Sequence, residues 1–292
     1  MKSKPITIAI GSEKGGVGKT AVAVNLSAAL AKLGKKVLAI DMDRQSNLSM
    51  HLLKDFDPNT DKGIIHAMIL DHDMSPSEVI YKSETENLFV MPIERRVQEY
   101  RTELDELISK ENSGNMSLKL FLEKEDLSYF DYIIIDNKPS LGASSISSLI
   151  ASDFYLVPVG NDDNEINGAI EFIKEAQETT QDCNTDLELL GFVFVGVNNS
   201  HAKTDKVRQT LLDVCDDRLY QEISTRSLYS DLAGQKKTVF DIKEKKIKNS
   251  KGGYKRLASE EYLSLANSLI LKAIPKFTPI QKSVFSPTES RA

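Results

Sequence analysis

The sequence predicts an α/β protein built on a doubly wound, mostly parallel sheet flanked by helices. Three observations predict it. Apolar strand-like runs alternate with helical segments along most of the 292 residues. A glycine-rich loop, spanning Gly11 to Thr20, joins the apolar run Ile6–Ile10 to the Ala/Leu/Val-rich segment Ala21–Leu33. Two later apolar runs, Lys36–Ile40 and Tyr132–Ile135, each close on an acid, Asp41 and Asp136. Ligands of a parallel sheet bind beyond the carboxyl ends of its strands, so all three features converge on one crevice.

The first strand, near 5–11, feeds the glycine loop and a helix near 18–33, which Gly34 stops. The second, near 36–41, ends in Asp41-Met42-Asp43 and leads to helices near 46–54, 61–71 and 76–81. A third strand near 87–92 precedes helices near 94–108 and 114–125, where Glu94, Arg95, Arg96 and Arg101 read as a salt-bridged helix surface. The fourth, near 131–136, is followed by Asn137-Lys138-Pro139-Ser140 and a helix near 142–151. Leu156-Val157-Pro158-Val159 lies in a fifth strand near 153–159, before a helix near 165–179. Loop-forming residues at 184–186 and 198–200 bracket a sixth strand near 189–197, and a helix near 203–217 follows. A short strand near 219–223 and a helix near 256–274 complete one domain, assigned to residues 1–274. Three prolines and scattered Ser/Thr mark 275–292 as a mobile tail.

A glycine-rich strand-to-helix loop ending in Gly18-Lys19-Thr20 is a phosphate cradle, a P-loop. Gly11, Gly16 and Gly18 let the backbone turn its N–H groups inward, and Gly15, Val17 and Ala21 belong to the same cradle. The following helix adds a positive dipole end. Lys19 reaches the β- and γ-phosphates and the Thr20 hydroxyl ligates Mg²⁺. Lys14, at the loop's tip, is surplus to one site and has the reach to meet phosphates held by a second copy of the chain.

Lys14-Gly-Gly-Val-Gly-Lys19-Thr20, then Asp41-x-Asp43-x-Gln45-x-Asn47, then an apolar strand with Asp136-x-x-Pro139, resemble the ParA/MinD family of ATPases with a deviant Walker A motif. The likeness runs from about residue 5 to 272 and takes in Leu156–Val159, Gly191–Asn198 and Ser264–Leu269. It is closest to the partition branch. The resemblance implies ATP and Mg²⁺ as cofactors, an ATP-dependent homodimer, nonspecific DNA binding, and slow hydrolysis stimulated by a ParB-like centromere-binding partner. It also implies a role in plasmid or chromosome segregation, in the cytoplasm on the nucleoid, with no membrane attachment. Carried over residue by residue, it makes Lys14, acting in trans, Lys19 and Asp43 catalytic, with Asp43 orienting or deprotonating the attacking water. Thr20, Asp43 and Asp136 fall on the metal side, Asn198 near the adenine, and Arg226 in a DNA-binding segment. The loop begins so near residue 1 that no helix-turn-helix module is expected ahead of it.

Two departures stand out. Arg44 replaces the family's usual proline, and Asn137-Lys138 replaces a small residue followed by Pro or Ala. Three roles are open to Lys138: contacting phosphate, tuning Asp136, or facing solvent. The alternative reading, a MinD-like or cargo-positioning ATPase on a membrane or protein scaffold, calls for a C-terminal amphipathic helix. Residues 283–292 offer little apolar surface, and Pro279 and Pro287 oppose a helix there.

Composition narrows the class further. The hydrophobic share of 40% and charged share of 27% are ordinary for a globular domain. Cys183 and Cys215 lack metal-type spacing and lie away from the nucleotide motifs, which counts against the related nitrogenase iron proteins. Net charge is −6, yet residues 201–292 carry 18 lysines and arginines against 11 acids. The excess gathers at Lys236, Lys237, Lys243, Lys245, Lys246, Lys248, Lys251, Lys255 and Arg256. A basic stretch on an otherwise acidic chain is an electrostatic footprint for a phosphate backbone. Lys243, Lys245, Lys246, Lys248, Lys251, Lys255 and Arg256, with Arg226, are therefore the candidate DNA contacts.

Overall fold

The computed structural model describes residues 4–59, 61–95, 104–197, 202–224, 228–244 and 256–277. Among them, eight strands form one sheet: β1 (Ile6–Ile10), β2 (Val37–Asp41), β3 (Tyr81–Lys82), β4 (Leu88–Met91), β5 (Tyr132–Asp136), β6 (Phe154–Val159), β7 (Glu188–Val197) and β8 (Leu219–Ser224). Their spatial order is β3-β4-β2-β5-β1-β6-β7-β8. Every pairing is parallel except that of β3, which runs antiparallel on the edge. All residues of β1, β2, β5 and β6 are buried. That is why these strands read as unbroken apolar runs: helices cover both faces and leave no wet side to alternate with.

The pleat sends alternate side chains to opposite layers. Ile8 and Ile10 of β1 pack in a core shared with α1 (Lys19–Lys32), α2 (Asn47–Leu52) and α9 (Ala258–Phe277). Ala9 faces the other layer, where Leu149 of α5 (Ala143–Ile150) and Phe172 of α6 (Asp163–Thr180) meet it with α7 (Ala202–Cys215). Beyond it, α3 (Leu104–Lys110) and α4 (Ser117–Leu122) cover β2 and β5 through Leu107, Phe121, Leu38 and Ile135. A further short helix, α8 (Leu228–Gly234), joins the first core through Leu232.

Gly34 does end α1. It sits at φ +79° and its N–H reaches the Ala31 carbonyl at 3.0 Å, while Lys35 N–H reaches Leu30 O at 3.1 Å. That left-handed closure is nearly free for glycine alone. The expected helix near 61–71 is a single π-helical turn at His66–Leu70 within the described residues, and that near 76–81 a 3₁₀ turn at Pro76–Val79. The region near 94–108 is helical from Leu104, with 96–103 outside the described residues. Helix α9 runs through Pro275 to Phe277, three residues into the expected tail; 278–292 lie outside the described residues. No helix among the described residues is long and apolar enough to cross a membrane.

Candidate nucleotide site

The loop from Gly11 to Gly18 leaves β1 at the carboxyl edge of the sheet and turns into α1. Two of its glycines take backbone angles that other residues resist: φ is +81° at Gly16 and +90° at Gly18, which caps α1. Gly11 is required for a different reason. A β-carbon there would stand 2.4 Å from a ring carbon of Phe172 on α6. The loop is thus wedged between the sheet and α6, with its final glycine closing the first turn of α1 (Val22 N–H to Gly18 O, 2.9 Å).

Lys19 is buried, and its ammonium arches back to donate to the Lys14 carbonyl at 2.8 Å. Burial lowers its pKa, while the carboxylates of Asp136 and Asp43 pull the other way. Asp136 closes β5. In the parallel register it lies beside Ile10 on one side and Asp41 on the other, which sets it between the P-loop strand and β2. It is wholly buried, and neither carboxylate oxygen has a partner at normal hydrogen-bond geometry. Burial pushes its pKa well above the usual carboxylate range, with the Asp41 charge adding to the rise. The nearby Thr20 hydroxyl and Lys19 oppose it. A buried acid with two unsatisfied oxygens, next to a hydroxyl and a phosphate cradle, suits a hard divalent cation. No three His, Cys, Asp or Glu among the described residues are grouped to hold a metal by themselves. A cation here would therefore need ligands beyond such side chains.

The two acids at the end of β2, Asp41 and Asp43, differ in their surroundings. Asp41 is fully buried and accepts from Ser49 N–H at 2.9 Å, Ser49 Oγ at 2.7 Å and Asp43 N–H at 3.1 Å. It anchors the start of α2, and burial pushes its carboxyl up to about 7. Asp43 is half-buried at the mouth of the crevice. Its Oδ1 accepts from Gln45 N–H at 2.9 Å and its carbonyl from Ser46 N–H at 2.7 Å, a compact turn that aims the side chain.

That turn is tied to the segment after β4. Ser46, buried and at φ +54°, donates its hydroxyl to Ile93 O at 2.9 Å. Arg44 donates to Arg95 O at 2.8 Å, and Arg95 answers by donating to Gln45 O at 3.1 Å through Nε. Glu94 and Arg95 are consequently not part of a helix surface, as their charge pattern suggested. Glu94 is buried and accepts from the N–H groups of His66 (2.5 Å) and Ile65 (3.3 Å). Burial raises its carboxyl to about 7, against those hydrogen bonds and the Arg44 charge. Arg96 and Arg101 lie outside the described residues.

Lys14 meets a partner the sequence did not advertise. Its ammonium is 3.1 Å from Glu165 Oε1 on α6, with the lysine side chain 45% exposed and the glutamate 16%. The other glutamate oxygen is buried without a hydrogen bond, and Gly160 leaves it room: a β-carbon there would lie 1.7 Å away. Lys138 turns to Asp105 on α3. Asn137 is buried, its amide donating to Ile10 O at 3.1 Å. None of these partners has a motif of its own; each comes from a distant stretch of chain.

Of the candidate DNA contacts, Lys243 and Arg256 are exposed, while Arg226, Lys245, Lys246, Lys248, Lys251 and Lys255 lie outside the described residues, as does Asn198. Lys236 is committed elsewhere: its ammonium donates to the carbonyls of Lys54 (2.7 Å) and Leu53 (3.2 Å) just past α2.

Comparison with known proteins agrees with this geometry. A family model described as an AAA domain matches residues 6–189. The chain is 33% identical over 227 residues to the sporulation initiation inhibitor protein Soj of Bacillus subtilis, covering 76% of this chain and 84% of Soj. It is 28% identical over 273 residues to the chromosome partitioning protein ParA of Myxococcus xanthus, covering 92% and 89%. The structure of a Cyanothece McdA variant in complex with ATP superposes with a TM-score of 0.74 at 23% identity, over 91% of this chain and 97% of that one, a likeness of fold. With the P-loop, the strand-end acids and the sheet order all in agreement, the chain belongs to the ParA/MinD family of P-loop ATPases.

Proposed function

We propose that this chain is a partition ATPase. It binds ATP with Mg²⁺, pairs with a second copy in that state, and in that form holds DNA without regard to sequence. A ParB-like partner then stimulates a slow hydrolysis. One observation carries the reading: Lys19, Thr20 and Asp136 meet in a single crevice, and a further lysine, Lys14, stands at its rim.

Phosphoryl transfer to water needs fixed phosphates, neutralised charge and an oriented nucleophile. Lys19 and the inward N–H groups of residues 15–20 hold the phosphates. Thr20 and Asp136 hold Mg²⁺, which when bound supplies positive charge to the phosphate oxygens. Asp43, kept in its turn by Gln45 and Ser46, orients or deprotonates the attacking water. Lys14 leaves Glu165 to neutralise phosphate on the partner copy, so pairing depends on the nucleotide. Asn198 reads the adenine edge. The relatives named for chromosome partitioning, and the basic stretch that includes Lys243 and Arg256, support DNA as the macromolecule held.

The test is binding to a nonspecific duplex with ATP, with ADP and without nucleotide, each across a salt series. Binding that appears with ATP alone and weakens steeply with salt is expected, because backbone contacts release counterions. Equal binding in all three states, or none in any, overturns the DNA reading.

A further inference from the structure

The loop that leaves Asp136 is clamped from outside the site. Lys138, two residues on, pairs with the Asp105 carboxylate of α3, both side chains about three-quarters covered (22% and 27% exposed). The same carboxylate accepts from Ser144 N–H at 2.9 Å and Ser144 Oγ at 2.7 Å, in the first turn of α5. One side chain thereby holds both ends of residues 138–144. The chain also passes so close that a β-carbon on Gly142 would lie 2.0 Å from Asp105 Oδ2.

Between the anchors the backbone is strained. Ser140 is at φ +152°, which a residue with a β-carbon adopts only when its surroundings impose it. Its carbonyl is held by Ser145 Oγ at 2.8 Å. Pro139, next to it, lies beside Gly15 of the P-loop: a β-carbon there would come within van der Waals reach of its ring, at 3.8 Å.

We propose that Asp105 is a positioning residue for the nucleotide site: through Lys138 and Ser144 it fixes the Pro139–Ser140 turn beside the P-loop tip and so sets the preference for ATP over ADP. The inference rests on the ATP reading above. It assigns Lys138, which departs from the family pattern, to the clamp and not to phosphate. Burial raises the Asp105 pKa, but the hydrogen bonds from Lys138 and Ser144 outweigh it and keep the carboxylate ionised.

The experiment compares the full chain with D105N, K138M and the double variant. Two quantities are read: the affinity for a nonhydrolysable ATP analogue and for ADP, and amide hydrogen exchange of residues 137–146 without nucleotide. Each single change is expected to weaken the ATP analogue by about fivefold while leaving ADP within about twofold. The double variant is no worse than either, as for two halves of one contact. Exchange in 137–146 rises in all three.

Loss of ATP-analogue affinity in K138M with D105N unaffected places Lys138 on the phosphate and overturns the clamp. Unchanged exchange in both single variants overturns it too. If D105N fails to fold, K138M tests the same contact from the loop side. If the unaltered chain binds neither nucleotide, the ATP reading fails, and the exchange data still decide whether Asp105 holds the loop.

Discussion

Lys14 shows what a single side chain can be asked to do. It is half-exposed, yet its ammonium is already neutralised by Glu165 of the same chain. Action on a second copy means exchanging that carboxylate for phosphate. A pair this exposed is worth at most about 1 kcal/mol. E165Q should therefore lower the protein concentration at which ATP drives pairing by up to about fivefold, read by sedimentation velocity. K14A should abolish pairing and leave ATP binding by the single chain within about threefold; a normal dimer in K14A refutes the trans role. The motif residues Lys14, Lys19, Thr20 and Asp136 were legible because chemistry fixes their spacing along a single loop or at a strand end. Glu165, Asp105 and Ser49 were not, because they arrive by tertiary approach and carry no signature. Asp41 was visible in Asp-x-Asp, but only its hydrogen bonds to Ser49 separate the anchor from Asp43, the acid at the mouth.

At the scale of elements, the helices matter by where they press. α6 lays Phe172 against the first residue of the P-loop, so G11A forces a ring carbon to yield from 2.4 Å. A loss of about 1–3 kcal/mol is expected in chemical denaturation, with weaker nucleotide binding, because β1 and α6 move apart at the loop. Glu94 ties the turn after β4 to the start of the π-helical turn and to the Arg44 side of the Asp43 loop. Folding raises its carboxyl from the usual 4.5 to about 7, so the fold favours the protonated form. Its contribution is complete below about pH 4.5 and is lost as pH rises through 7, on the order of 3 kcal/mol at most. E94Q should flatten that part of a stability–pH curve, and an unchanged slope would show that other groups set it. Most elements were readable from buried apolar runs and glycine stops. β3 was not, having two residues and no period to detect, and neither was α8, a seven-residue helix in a stretch without clear periodicity.

For the whole molecule, the sign of charge is uneven along the chain. The region beyond residue 200 is basic and the rest acidic, a division that net charge conceals. Replacing Lys243, Lys245, Lys246 and Lys248 with glutamine should reduce the salt slope of DNA binding by up to about four and leave ATP affinity unchanged. An unaltered slope would move the DNA contact to another face.

The sheet order has a consequence of a different kind. The P-loop strand β1 precedes both of its sheet neighbours in the chain by a long way: Ile6 pairs with Tyr132 and Ile8 with Phe154. At ordinary ribosomal speeds its apolar edge waits roughly 6–30 s for them. A nascent chain stalled before β5 would thus leave both backbone edges of Ile6–Ile10 unpaired and open to whatever holds unfolded polypeptides in the cell. The strand that carries the phosphate loop cannot complete its pairing until Phe154 has emerged.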